Sequence, residues 1–188
     1  MIDLLKVTKA YMEPHRHYHT LAHITRMLET IKQHKLNVTD DQLIAIWYHD
    51  VVYDPTRSDN EQRSALMAVM DMTYDNTKPD NSAVVEQIIL DTQNHLPTIE
   101  QSKLVIDLDL MGLADHVNQY FETGKLIRQE YAHLTEETWQ AGRKQFIDKF
   151  LSRNRIFQTP WGIEHFERGA FNNLTRELEL INDATKPW

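Results

Sequence analysis

The sequence contains no cysteine, although it has 10 histidines and 28 acidic residues among 188 positions. Disulfides, thiolate metal sites and cysteine nucleophiles are therefore excluded, and a metal ion would need ligands from His, Asp or Glu. Glycine and proline are also scarce, at 5 and 6 residues. The sequence has no glycine-rich phosphate loop of the kind that binds nucleotides in many enzymes.

Long apolar runs and blocks of basic residues are missing as well. No stretch approaches the roughly 20 apolar residues that a membrane-spanning helix needs. The formal net charge of −8 disfavours a nucleic-acid polymer or an anionic membrane as the main partner. The N-terminal segment MIDLLKVTKAYMEPHRHYH lacks the basic start and cleavage site of a signal peptide. We therefore expect a cytoplasmic protein, and the sequence leaves a homo-oligomer open.

Apolar residues recur at helical spacing along almost the whole chain. We predict an all-α protein, a single domain over residues 1–188 built as one bundle of about nine helices. The predicted helices cover roughly residues 2–12, 16–35, 40 into 45–54, 60–74, 82–92, 101–111, 116–134, 136–152 and 163–181. Thr39, with Gln42 three positions later, resembles a capping box at the start of the third helix.

The segment AIWYHDVVYD, residues 45–54, places two polar side chains in an apolar stretch. His49 and Asp50 are about 100° apart around a helix, so both can lean toward one point. Burying both is costly unless each has a partner, and one divalent cation would satisfy the two together. The pair alone is also compatible with a capped histidine near a helix C-terminus.

Two further polar residues stand in apolar helices, namely His23 in YHTLAHITRML and Asp109 in LVIDLDLMGL. With His49 and Asp50 they form an incomplete coordination sphere of nitrogen and oxygen ligands. On a six-coordinate ion, four protein ligands leave two positions for water or a substrate oxygen. Manganese, iron, nickel, cobalt, magnesium and zinc all suit this set of ligands.

The order His23, His49-Asp50, Asp109 resembles the H…HD…D pattern of the HD-domain superfamily of metal-dependent phosphohydrolases. The chain is also similar, over nearly its whole length, to a bacterial subgroup described as predicted HD phosphohydrolases. The segments that carry this similarity are RHYHTLAHI, WYHDVVYD, NEQRSA, LDTQNH, DLDLMGL, IRQEY, GRKQFIDKFLSR and ERGAFNNL. The resemblance implies an HD-domain-like bundle in which these four residues bind one divalent metal ion.

The last metal ligand has a rival in Asp107, two positions before Asp109. Two residues at this spacing are about 200° apart around a helix, so only one of them can easily face the metal. The family pattern favours Asp109 because Leu110 follows it, although Leu108 stands where the family usually has alanine.

The resemblance further implies hydrolysis of a phosphate ester or anhydride of a small, nucleotide-like molecule by a metal-activated water. Two acids are expected to orient or deprotonate that water. They are Asp54, one turn beyond Asp50, and Glu61, at the start of the next helix. Glu61 has the alternative role of capping a helix start.

Other polar residues are expected to contact the substrate phosphate or a second metal ion. His19 lies one helical turn before His23, and His95 stands where many superfamily members have a histidine near the metal. Arginines that match phosphoryl oxygens, with structural ion pairs as the alternative, are Arg16, Arg63, Arg128 and Arg143.

Two other functions stay open at this point. One is a catalytically inactive HD-fold module that binds or senses a nucleotide, because NEQRSA stands where related multi-metal enzymes often have a histidine. The other is a di-iron HD-fold oxygenase, for which His19, His95 and Glu61 would supply the additional ligands. Metal content without turnover favours the first, and oxygen uptake with ferrous iron favours the second.

Overall fold

The computed structural model describes residues 4–73 and 81–183. These residues form nine α-helices and one short 3₁₀ helix, with no strand among them, which confirms the all-α prediction. The helices are α1 (Leu4–Ala10), α2 (Leu21–His34), α3 (Asp40–Tyr48), α4 (Asn60–Thr73), α5 (Ser82–Thr92), α6 (Ser102–Leu110), α7 (Val117–Glu130), α8 (Glu136–Leu151) and α9 (Pro160–Asn182). Among the described helices, none combines the length and apolar character needed to cross a membrane.

Most helix bounds agree with the prediction, and the differences have local causes. Helix α2 begins at Leu21 rather than near residue 16, because the Thr20 side chain accepts a hydrogen bond from the Ala22 amide and caps the helix. Helix α3 ends at Tyr48, so His49 is the C-cap and Asp50 follows the helix instead of continuing it. The predicted helical residues 2, 3 and 74, and most of the predicted loop 75–81, lie outside the described residues.

The capping box at the start of α3 is confirmed. The Thr39 hydroxyl accepts a hydrogen bond from the Gln42 amide at 3.2 Å, and the Gln42 side chain accepts one from the Thr39 amide at 2.9 Å. Gln42 also donates to the Gln101 carbonyl at 2.9 Å. The start of α3 is thereby attached to the turn that precedes α6. His49 and Asp50 follow α3, and Asp109 lies in α6.

The chain divides into two compact units, Met1–Asp109 and Leu110–Trp188. In the first unit, α5 packs against α3 and α4, and the core includes the fully buried side chains of Ile24, Ile46, Ile88 and Ile106. The prediction of a single domain stays a prediction.

The second unit contains the 3₁₀ helix, Met111–Ala114, and helices α7 to α9. Its core includes Ile147, Phe150 and Leu174. Helix α9 runs close to the 3₁₀ helix at Gly169, where a Cβ atom would lie only 3.0 Å from the Ala114 carbonyl oxygen. A side chain at this position would require the Ala114 segment to move by a few tenths of an ångström.

Candidate metal centre

Helix ends in the first unit bring together the four residues that the sequence predicted as metal ligands. His23 lies in the first turn of α2, and Asp109 is the penultimate residue of α6. His49 and Asp50 directly follow α3. His23 and His49 are buried, and the Asp50 and Asp109 side chains are only 17% and 14% exposed. We call these four residues the histidine–aspartate cluster.

The nitrogen and oxygen atoms of the cluster face one another at short distances. His23 Nε2 lies 3.0 Å from Asp109 Oδ1 and 3.3 Å from His49 Nε2. His49 Nε2 lies 3.2 Å from Asp50 Oδ2 and 3.6 Å from Asp109 Oδ1. His23, His49 and Asp109 each offer one ligand atom, and these three atoms lie within 4.8 Å of one another. Asp50 joins the three through its contact with His49.

These distances fit a single divalent ion. Two ligand atoms about 2.1 Å from a shared ion are about 3.0 Å apart when they subtend a right angle. The observed separations of 3.0 and 3.3 Å around His23 Nε2 are close to that spacing. Two imidazoles and two carboxylates also form a donor set that suits manganese, iron, cobalt, nickel or zinc. The cluster could therefore hold such an ion without large rearrangement.

The second nitrogen of His49 fixes the form of its ring. His49 Nδ1 lies 2.9 Å from the Ile46 carbonyl oxygen. Because a carbonyl oxygen only accepts hydrogen bonds, Nδ1 carries the proton. In the neutral ring, Nε2 then presents its lone pair to the cluster. A metal-binding histidine usually has this arrangement, in which the other ring nitrogen donates to a carbonyl or carboxylate.

Charge in the cluster is balanced between imidazoles and carboxylates. Burial lowers the pKa of His49, but the Asp50 and Asp109 carboxylates outweigh burial and raise that pKa well above its usual value. Burial would raise the pKa of Asp109, whereas hydrogen bonds from His23, His49 and His95 hold it well below its usual value. A divalent cation would take the place of the His49 imidazolium proton as the partner of both carboxylates.

The structure separates the two rival aspartates of α6. Among the described residues, one group of His and acidic side chains has metal-binding spacing. This group contains Asp109 and not Asp107. Asp107 is fully buried. This separation follows from the roughly 200° between two residues at this spacing on a helix.

His95 lies beside the cluster in a strained conformation. Its φ of 50° places it in the left-handed region, which costs a residue other than glycine roughly 1 kcal/mol or more. His95 Nε2 lies 3.2 Å from Asp109 Oδ2, whereas His23 Nε2 faces Asp109 Oδ1. The two oxygens of Asp109 therefore face different histidines.

A buried acid that the sequence analysis did not single out holds the segment that carries His95. Asp91, in α5, accepts hydrogen bonds from the Thr98 amide at 2.7 Å, from Ser102 Oγ at 2.5 Å and from Gln87 Nε2 at 2.8 Å. Burial would raise its pKa, but these hydrogen bonds lower it. An acid inside an apolar helix was the signal used for Asp109, and the same signal marks Asp91 in LDTQNH.

Arg16 holds the segment that carries Asp50. Its buried guanidinium donates to the Asp50 carbonyl at 2.7 Å, to the Val51 carbonyl at 3.0 Å and to the His19 carbonyl at 3.1 Å. Its Nε also donates to Glu13 at 2.9 Å. All of these acceptors belong to the protein. The contact of Arg16 with a substrate phosphate stays a prediction, and its observed contacts are with the segments that carry His19 and Asp50.

His19 lies next to the cluster through aromatic contacts. Its ring stacks on Tyr53, with centroids 4.4 Å apart and an interplanar angle of 29°. The His19 and His23 ring centroids are 6.3 Å apart. The His19 charge also helps to lower the pKa of Asp50, after the larger effect of His49. His19 therefore belongs to the immediate surroundings of the cluster.

The two predicted catalytic acids have different surroundings. Glu61 lies in the first turn of α4. Burial raises its pKa, and the Asp50 and Asp109 charges add to that effect, which places Glu61 within electrostatic reach of the cluster. The Asp54 carboxylate instead accepts hydrogen bonds from the Thr56 amide and hydroxyl at 2.9 and 2.7 Å, and these bonds lower its pKa. Catalysis by Glu61 and catalysis by Asp54 both stay predictions.

The remaining predicted arginines lie outside the histidine–aspartate cluster. Arg63 is exposed on α4. Arg143 donates to both carboxylate oxygens of Glu177, at 3.0 and 2.8 Å, and Arg128 donates to the Tyr131 and Leu134 carbonyls. Contacts of these three arginines with a substrate phosphate stay predictions.

No protein-family model, curated protein or solved structure matches the chain. The resemblance to the HD-domain superfamily therefore stays an expectation from the sequence. The geometry of the histidine–aspartate cluster itself fits a divalent metal ion.

Proposed function

We propose that the chain is a metal-dependent phosphohydrolase acting on a phosphate ester or anhydride of a small, nucleotide-like molecule. The observation that supports this proposal most is the histidine–aspartate cluster, in which His49 donates its Nδ1 proton to Ile46 and presents Nε2 to two carboxylates and His23. This geometry supports a divalent metal site. The choice of phosphoryl chemistry comes from the sequence resemblance.

Different residues of the chain would have different roles in such a reaction. A divalent ion in the cluster would supply Lewis-acid activation of water and of the phosphoryl group. Glu61 would accept the proton of the attacking water, because its raised pKa lets it take up a proton and release it again. Arg16 would keep Asp50 in place, and His95 would orient the carboxylate of Asp109.

The proposal is tested by a turnover screen with divalent metal ions. Wild-type protein is incubated with a panel of nucleoside mono-, di- and triphosphates and with p-nitrophenyl phosphate, and phosphate release is measured. We expect metal-dependent turnover that Asp109→Asn lowers by about 100-fold or more, since ligand loss removes the ion. Asp148→Asn, at an exposed carboxylate on α8, is the matched control and retains activity. Turnover that survives chelation, or that Asp109→Asn leaves unchanged, would contradict the proposal.

One observation favours a second candidate function. Asp109 faces His23 with one oxygen and His95 with the other, and Glu61 lies within electrostatic reach of both aspartates of the cluster. A carboxylate that faces a different histidine with each oxygen is compatible with two metal ions. A di-iron oxygenase would need such a pair. Two irons per chain together with oxygen uptake would favour that function. Metal binding with neither oxygen uptake nor phosphate release would instead indicate a binding module.

A further inference from the structure

Helices α7, α8 and α9 of the second unit line a groove of about 420 Å³. The volume lies within the range of small-molecule binding sites. Helix α7 contributes Phe121, Gly124, Lys125 and Arg128, which are spaced i, i+3, i+4 and i+7 and therefore share one helical face. The groove is thus lined by a continuous stripe of α7 rather than by scattered side chains.

The lining of the groove is positively charged, although the whole chain carries a formal charge of −8. Its lining contains Lys125, Arg128 and Arg176 but one acid, Glu136. Lys125 also forms an ion pair with Glu122, one turn earlier on α7, at 2.7 Å. The Arg128 guanidinium is held in place by donation to two backbone carbonyls, at 2.8 and 3.1 Å, and to Glu136 at 3.2 Å. Guanidinium groups match the oxygens of phosphate and carboxylate groups, and the groove contains two of them, on Arg128 and Arg176. The groove therefore favours an oxyanion.

Apolar side chains line the same groove. Phe121 and Leu180 are partly exposed, and the centroid of the buried Trp139 ring lies 5.6 Å from the Arg128 guanidinium carbon. An aromatic and aliphatic lining binds the body of a ligand, whereas a few charged groups orient it. A ligand that uses the whole lining would carry a ring as well as a negative charge.

Gly124 leaves space in this groove. Its φ is not positive, and no atom lies within 4 Å of a Cβ atom built at this position. A larger side chain at this position would occupy the space that the groove offers.

A buried polar triad holds the three helices together. Tyr120 of α7 and Arg143 of α8 both donate to the Glu177 carboxylate of α9, the arginine through two bonds of 3.0 and 2.8 Å. The triad takes one residue from each helix that lines the groove. The groove is therefore built into the packing of the second unit and does not need a ligand to form.

We propose that this groove binds a small oxyanion that carries an aromatic ring, as in an aryl or nucleoside phosphate. Every lining residue belongs to the second unit, whereas the histidine–aspartate cluster belongs to the first. The inference does not depend on the proposed phosphohydrolase function.

Isothermal titration calorimetry with phenylphosphonate tests the proposal on the full chain, since this probe has no ester bond to hydrolyse. We expect one saturable site per chain. Arg176→Ala should weaken binding by about tenfold or more, and Gly124→Leu should abolish it. Gly142→Leu is the matched control, because Gly142 also has no atom within 4 Å of a built Cβ atom but does not line the groove. Methylphosphonate, without the ring, and benzyl alcohol, without the charge, should each bind about tenfold more weakly or worse.

Three results would overturn the proposal. They are no saturable binding by wild-type protein up to about 10 mM probe, full binding by a folded Gly124→Leu variant, and loss of binding in Asp109→Asn. The last result would place the probe at the metal cluster. Circular dichroism checks the fold of each variant. If Gly124→Leu fails to fold, Arg176→Ala, at an exposed position, is used in its place. An affinity of Arg176→Ala for phenylphosphonate equal to that of wild type would overturn the proposal.

Discussion

At the scale of single residues, polar side chains in and around the histidine–aspartate cluster have two kinds of partner. His49 donates one ring nitrogen to Ile46 and presents the other to the cluster, and Asp109 presents one oxygen to His23 and the other to His95. Arg16 and Asp91 instead direct their polar atoms at backbone and side-chain partners around the cluster. Burial alone does not identify a ligand. A candidate ligand is recognised by a nitrogen or oxygen atom that points at the other candidate ligands.

Glu61 is the residue whose replacement should separate catalysis from metal binding. Glu61→Gln should lower kcat by about 100-fold or more, because general base catalysis contributes on that order. The metal content should not change, since no residue of the cluster is altered. In wild-type protein, kcat should fall as the pH drops through the pKa of Glu61, which burial raises above the ordinary value of 4.5.

Asp54→Asn is the comparison for this experiment, because the Asp54 carboxylate is bonded to Thr56. It should change kcat by less than about tenfold, well below the effect of removing a general base. The measurement is steady-state phosphate release, with elemental analysis of each variant. An unchanged kcat in Glu61→Gln would exclude Glu61 as the base.

At the scale of elements, helix ends rather than helix interiors build the site. His23 follows the Thr20 cap of α2, His49 caps the C-terminus of α3, and Asp109 lies next to the end of α6. Sequence patterns predicted the start of α3, because Thr39 and Gln42 carry a recognisable capping box. They did not predict the end of α3 at Tyr48, because the apolar pattern continues past the last helical residue.

The connection between α5 and α6 should depend on the Asp91 carboxylate. Hydrogen bonds to Ser102, Thr98 and Gln87 lower the pKa of Asp91 in the folded protein, so its ionised form stabilises the fold. This contribution is fully present above the unfolded pKa of about 3.9 and is lost as the pH falls through the lower folded pKa. Asp91→Asn should therefore lower the free energy of unfolding by about 1–3 kcal/mol at pH 7.

Urea unfolding of wild type and Asp91→Asn at several pH values measures this effect. The difference between the two proteins should shrink as the pH falls below about 4. Glu86→Gln, at an exposed acid on the same helix, is the matched control and should change stability by less than about 0.5 kcal/mol. A difference for Asp91→Asn that stays constant down to the acid transition would contradict a role for the ionised carboxylate.

At the scale of the whole molecule, the helical order was predictable because apolar residues repeat at helical spacing along the chain. The four cluster residues were singled out because a histidine or an acid in an apolar segment needs a partner, and the choice of Asp109 over Asp107 came from the family pattern. The partners of the arginines were not predictable. Arg143 pairs with Glu177, 34 positions away, and only tertiary packing brings the two together. The division into two compact units was not predicted either, since no linker marks it in the sequence.

The central claim is that the histidine–aspartate cluster holds a divalent metal ion. Elemental analysis of gently purified wild-type protein, beside Asp109→Asn and Asp107→Asn, tests it most directly. The account predicts at least about one equivalent of metal per chain in wild type and in Asp107→Asn, and its loss in Asp109→Asn. Asp109 Oδ1 lies 3.0 Å from His23 Nε2 and 3.6 Å from His49 Nε2, and Asp109 belongs to the group with metal-binding spacing. Wild-type protein that holds no metal even after reconstitution, or Asp109→Asn that keeps its metal, would contradict the account.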